Sequence, residues 1–223
     1  MDGKALVAEL RRGAALPRPP YIPILGRLAQ VLGQVSEEAF TTDAATQCGV
    51  LAEAAAAVGA DAITVGVGTP PAVAVDVVAR LKPVAAGRAL VGCLSAADVA
   101  GARAYCEAGV DLVFLLDPDR SNRGRFRTIA NACAFYEVAA LLVAPALDGA
   151  AAVAAELGLH GAVVAQPTGD EPGIVGGGLS AASVNDPPPA PPRASRFFWS
   201  FPDETPASLS PEDLAALGRR LTA

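Results

Sequence analysis

The sequence predicts an α/β fold: a (β/α)8 TIM-type barrel, reduced, with the outer helices after its sixth and seventh strands missing or vestigial. Eight short apolar, β-favouring runs recur along 223 residues, and most are separated by helix-like stretches. Strand alternating with helix implies a parallel sheet, and eight repeats imply a closed barrel. The chain fits one domain, 1–223, and lies below the ~250 residues typical of the barrel, so something has been trimmed.

The elements follow in order. A leader, residues 1–18, precedes the first run, Tyr21–Leu25. Ser36 reads as the cap of a helix running through Val58 and stopped by Gly59. The second run is Ala62–Val67, then a helix over Val73–Leu81; the third is Ala89–Leu94, then Ala96–Ala108. The fourth, Asp111–Leu116, precedes a helix over Phe126–Glu137, and the fifth, Ala139–Ala144, one over Gly149–Leu157. After the sixth run, Gly161–Ala165, the segment Gln166–Pro172 is a turn too short for a crossover helix. The seventh run, Gly173–Gly177, is followed by Leu179–Val184 and a proline-rich loop at 185–192, where prolines forbid helix and favour an extended chain. The eighth run, Arg196–Phe201, leads to a closing helix with Ser210 as cap and Pro211 in its first position.

Parallel strands want both faces covered. Without two outer helices, the wall of strands six to eight should expose apolar side chains, and a second copy of the chain is expected to cover it as a homodimer. A net charge of −6 argues against a nucleic-acid partner. Of 17 basic residues only Lys4 and Lys82 are lysines. No apolar run approaches the ~18 residues a membrane span needs, and residues 1–12 lack a signal-peptide core, so a cytoplasmic protein without membrane contact is expected. Cys48, Cys93, Cys106 and Cys133 have no metal-like spacing and read as reduced, buried hydrophobes.

A barrel keeps its chemistry on the loops after its strands, which sorts the candidates. His160, the single histidine, precedes a strand and belongs to the bottom, stability-bearing face. No Ser-His-Asp triad is possible at the top, and no lysine lies where a Schiff base would form. The fourth run leads into the densest polar cluster, with Asp117, Asp119, Arg120, Asn122, Arg123 and Arg125, and Arg127 just beyond. It is either a site for a carboxylate or phosphate held through bidentate contacts, or a capped loop whose Asp and Arg pair with each other. Arg27, after the first run, is a second candidate cation at the same mouth. Gly176, Gly177 and Gly178 form either a phosphate cradle or a simple tight turn. Beyond the eighth run, Asp203 and Glu204 are either an acid–base pair or an ordinary turn.

Several segments, in order, resemble the uroporphyrinogen decarboxylase superfamily, which includes the corrinoid-dependent methyltransferases. They are Arg18–Arg27, Ala54–Val67, Glu107–Pro118 and Asp203–Leu217. The sequence departs from that pattern where function is concerned. It has Arg27 alone instead of a double-arginine motif, Val67-Gly68 in place of a substrate-facing aspartate, and Asp203 nearest the position of a histidine. The methyltransferase branch's zinc ligands, a His-x-Cys pair and a later Cys, are absent, so neither metal nor cofactor is expected. The resemblance implies a shortened, diverged member: a metal-free lyase or decarboxylase acting on a small acidic substrate at the barrel mouth. Arg27, Asp119, Arg120, Asn122, Gly176 to Gly178 and Glu204 would bind substrate, and Asp117 or Asp203 would handle the proton. The alternatives are a noncatalytic relative that binds a ligand or partner, and a phosphate-handling barrel enzyme.

Overall fold

A computed structural model of the chain describes residues 1–95, 98–116, 122–144, 149–165, 172–186, 188, 196–201, 205–206 and 208–222. Seven parallel strands form one sheet in chain order: β1 (Ala62–Val65), β2 (Ala89–Leu94), β3 (Leu112–Leu116), β4 (Ala139–Ala144), β5 (Ala162–Val164), β6 (Ile174–Gly178) and β7 (Phe198–Ser200). The helices are α1 (Gly3–Arg11), α2 (Gly26–Gly33), α3 (Glu37–Thr42), α4 (Ala44–Ala57), α5 (Pro71–Leu81), α6 (Val99–Ala108), α7 (Arg123–Phe135), α8 (Ala150–Leu157) and α9 (Pro211–Thr222). The result is the expected reduced TIM-type barrel.

The expected first strand, Tyr21–Leu25, is not a regular strand; its single bridge pairs Tyr21 with Trp199 of β7. Three prolines, Pro19, Pro20 and Pro23, supply no N–H for a ladder there. The segment still takes the eighth position. On one side Ile22 N–H donates to Trp199 O and Trp199 N–H to Pro20 O, both at 2.8 Å. On the other, Asp61 N–H donates to Tyr21 O at 2.8 Å and the Asp61 carboxylate accepts Tyr21 N–H at 2.8 Å. Thr64 Oγ1 accepts Leu25 N–H at 2.9 Å. Arg18 grips the same Asp61 carboxylate with both guanidinium arms, at 2.6 and 2.7 Å.

That pin recurs around the barrel floor. A left-handed glycine ends a helix, and two residues later a side chain accepts the N–H at the foot of the preceding strand. Gly59 precedes Asp61 on Tyr21; Gly109 precedes Asp111, which accepts Leu90 N–H at 2.9 Å; Gly158 precedes His160, whose Nδ1 accepts Ala140 N–H at 3.2 Å. Each pinning residue also donates its own N–H to the carbonyl of the residue it pins. His160 is therefore a structural residue of the bottom face, as the barrel map requires.

Two apolar layers build the core. The interior draws side chains from every strand and from Ile22, with Phe114 and Phe198 stacked across it at 6.0 Å between ring centres. The outer layer lies between strands and helices, which explains why the strands read as continuous apolar runs. The leader is α1, capped by Asp2 and bonded by Lys4 N–H to Gly87 O; its Leu6, Val7 and Leu10 close the bottom of the interior. Its Gly3 lies so close to the Asp61 carbonyl that a side chain has no room.

The helix expected from Ser36 to Val58 is divided. Ser36 does cap, accepting Ala39 N–H, but Asp43 is extended and caps a new helix by accepting Ala45 N–H. Among the described residues between β6 and β7 a 3-10 turn, Ala181–Val184, stands in place of an outer helix, and nine residues between β5 and β6 leave no length for another. The apolar wall expected on β5 to β7 is absent among the described residues. Ala162, Val163, Val164, Phe198 and Trp199 are all buried, and β6 presents glycines. Trp199 and Tyr21 lie in the outer layer, with α9 against Tyr21 through Gly218. No helix among the described residues is long and apolar enough to cross a membrane.

Candidate functional site

The strand ends define the mouth, and its floor is apolar among the described residues. Cys93 and Val143 belong to the buried interior, with Leu116 and Val67 half-buried against it. Burial pushes the Cys93 thiol up to about 12, which makes it a neutral hydrophobe. Ser200 spends its hydroxyl on the closing segment, donating to Ile22 O at 2.6 Å.

Of the expected site residues, Arg27 is the one the topology sets most plainly at the rim. It is the second residue of α2, directly after the closing segment, and is exposed without an ion-pair partner among the described residues. The N-cap of α2 is Leu25, which offers no side-chain acceptor, so the positive end of the helix dipole lies beside Arg27 without a side-chain cap among the described residues. Asn122 stands at the N-cap of α7 on the same side of the barrel. Asp117, Asp119, Arg120, Asp203 and Glu204 lie outside the described residues. The neighbouring arginines are partly committed: Arg123 pairs with Glu156 at 2.8 Å, and Arg127 donates to the Glu156 carbonyl at 3.4 Å.

The three glycines expected to form a turn do not. Gly176, Gly177 and Gly178 are within β6, in register with Phe198, Trp199 and Ser200 of β7. Gly176 and Gly177 also pair with Val163 and Val164 of β5. Their backbone is committed to the ladder instead of forming a phosphate cradle. A register shift between Ala162 and Val163 brings Gly176 under the Phe198 ring, where a Cβ would lie 2.8 Å from it. Packing, not anion binding, accounts for glycine at that position.

A residue not expected from the sequence is Gln47. It is 1% exposed on α4, and its Nε2 donates to Thr69 Oγ1 at 2.6 Å while Oε1 has no partner among the described residues. It borders a cavity of about 10 Å³, room for roughly one water, shared with Ile24, Gly26, Thr64 and Gly66. The signal was present in the helical phase: Gln47 is the polar member of the buried stripe Ala44, Gln47, Leu51, Ala54.

The donor set does not fit the zinc of the methyltransferase branch. No three His, Cys, Asp or Glu side chains converge among the described residues, His160 is engaged at the bottom, and Cys93 is a buried thiol.

No family model matches the sequence, and no curated protein matches it. Solved structures do. A methyltransferase from Methanosarcina mazei superposes with a TM-score of 0.75 at 13% identity, over 99% of this chain and 98% of that one. The likeness is one of fold. The 3-keto-L-gulonate-6-phosphate decarboxylase of Vibrio cholerae gives 0.59 at 14% identity, over 92% of this chain and 100% of that one. The homocysteine methyltransferase of Escherichia coli gives 0.56 at 12% identity, over 92% and 96%. These barrels are enzymes, and the first shows that the trimmed barrel has a counterpart of its own size.

Proposed function

We propose that the barrel mouth binds a small acidic molecule and carries out metal-free lyase chemistry, of the decarboxylase type. The observation that supports this most is Arg27, an exposed guanidinium at the positive end of the α2 dipole, where a carboxylate would meet a bidentate donor. Asp117 or Asp203 supplies the acid or base above the apolar floor, and Asn122 and Arg120 contribute further polar contacts. Low dielectric at that floor favours loss of charge from a bound carboxylate, which suits release of carbon dioxide.

The test is carbon dioxide release and calorimetric binding over a panel of small di- and tricarboxylates. Arg27→Ala should weaken binding about 10- to 100-fold, the loss of a hydrogen-bonded charge pair, and Asp117→Ala should abolish turnover with the fold intact. Unchanged binding and turnover in both variants overturns the proposal. The apolar floor and Cys93's loss of reactivity favour one second function, a noncatalytic relative that only binds. Carboxylate affinity that depends on Arg27, with no turnover of any bound acid, identifies that case.

A further inference from the structure

We propose that Cys106 and Cys133 are a redox-sensitive pair that closes to a disulfide between α6 and α7 when a peroxide reaches it. The two sulfurs lie 3.8 Å apart. They occupy the same place in consecutive units, each third from the end of its helix. A disulfide of about 2.05 Å requires them to approach by roughly 1.8 Å. Helix ends are where side chains and the last turn can adjust by that amount. The helix ends are already tied beside the pair, since Tyr136 O–H donates to Glu107 at 2.9 Å. Closing the bond therefore fixes an arrangement that exists rather than creating one. Neither Cys48 on α4 nor Cys93 inside the barrel has such a partner among the described residues.

The chemistry is asymmetric. Both residues are buried, Cys106 the less completely, at 4% exposed against 0% for Cys133. Cys106 Sγ donates to Cys133 Sγ, and this contact holds the Cys106 thiol below its ordinary value, so Cys106 is the sulfur that ionises first. Its thiolate attacks one oxygen of hydrogen peroxide; the O–O bond breaks, and the departing hydroxide takes up a proton as water. Cys106 is then a sulfenic acid. The Cys133 sulfur attacks the Cys106 sulfur, the S–O bond breaks, and the hydroxyl leaves as water with the Cys133 proton. Two thiols have given two electrons to one peroxide. The bond fastens α7, the helix that follows the polar loop of the mouth, to α6.

The full reduced chain is treated with one equivalent of hydrogen peroxide, then unfolded and alkylated. The expected product is about 2 Da lighter, with two thiols protected and restored by dithiothreitol, and a peptide linking Cys106 to Cys133. Cys133→Ser, or Cys133→Ala should the serine variant not fold, should instead leave a sulfenic acid on Cys106 that a 1,3-dione captures. Cys48→Ser should respond as the parent does. Four alkylatable thiols after peroxide, a linked peptide containing Cys48 or Cys93, or loss of two thiols persisting without Cys133 each overturns the proposal.

Discussion

Asp61 holds the closing segment in place, and its removal has a calculable cost. The carboxylate accepts two bonds from Arg18, at 2.6 and 2.7 Å, and one from Tyr21 N–H at 2.8 Å. Bonds to a charged group contribute about 1.5–3 kcal/mol each when buried. Arg18 keeps 30% of its side chain in solvent against 12% for Asp61, so the Arg18 pair is taken at about 1.5 kcal/mol in total. Tyr21 is fully buried, and its orphaned N–H adds about 1.5 kcal/mol more. Asp61→Ala should therefore cost about 3 kcal/mol, a large part of the 5–15 kcal/mol of an ordinary domain. Asp61→Asn keeps an acceptor for Tyr21 and should cost about half as much. Urea unfolding of the reduced protein measures both. Arg18→Ala completes a double-mutant cycle, with an expected coupling of about 1–2 kcal/mol. Losses within 0.5 kcal/mol of zero for Asp61→Ala, or no coupling with Arg18, would refute the pin.

Three further outcomes follow from the structure. Burial, then the nearby Arg11 and Arg196, hold the His160 imidazole below its ordinary value. As pH falls the unfolded chain takes up that proton first, near ~6.5, so stability present above that pH is lost as pH falls towards the folded value. His160→Asp should keep the acceptor, as Asp61 and Asp111 do, and remove that loss; an unchanged pH profile of the urea midpoint counts against it. Gly176→Ala places a Cβ 2.8 Å from a Phe198 ring stacked on Phe114, and should cost about 1–3 kcal/mol. Gly49→Ala, in α4 with open space around it, should stabilise by up to about 1 kcal/mol. Equal thermal shifts for the two would show that propensity, not contact, governs both.

Apolar runs made the strands legible: β2 and β4 begin and end where the sequence places them, because both faces of those strands are buried. Tyr21–Leu25 was legible in position but not in kind, since proline withholds ladder bonds that composition alone does not count. The division at Asp43 was missed because the apolar phase continues across it, although an Asp with an extended backbone competes with helix and starts another. Gly176 to Gly178 misled because glycine serves turns and close approaches alike, and only the bulge opposite Val163 shows which. The floor pins carried a readable signal, Gly-x-Asp, Gly-x-Asp and Gly-x-His at near-regular spacing, that marks alternate βα units. The place of Arg27 was legible because it directly follows the closing segment; Gln47 was visible only as a break in an apolar stripe.

The closing segment joins parts of the chain made far apart in time. On its β7 side Ile22 N–H donates to Trp199 O and the Ser200 hydroxyl donates to Ile22 O, the latter a bond spanning 178 residues. During synthesis the β1 side of the segment can form once Asp61 and Thr64 are made, but its β7 side waits for the strand at 198–200. Folding should therefore be slow for the chain's size, governed by this one long-range closure. A circular permutant that starts in another loop, and so carries residues 20–25 beside β7 without the long wait, is expected to fold faster without being more stable.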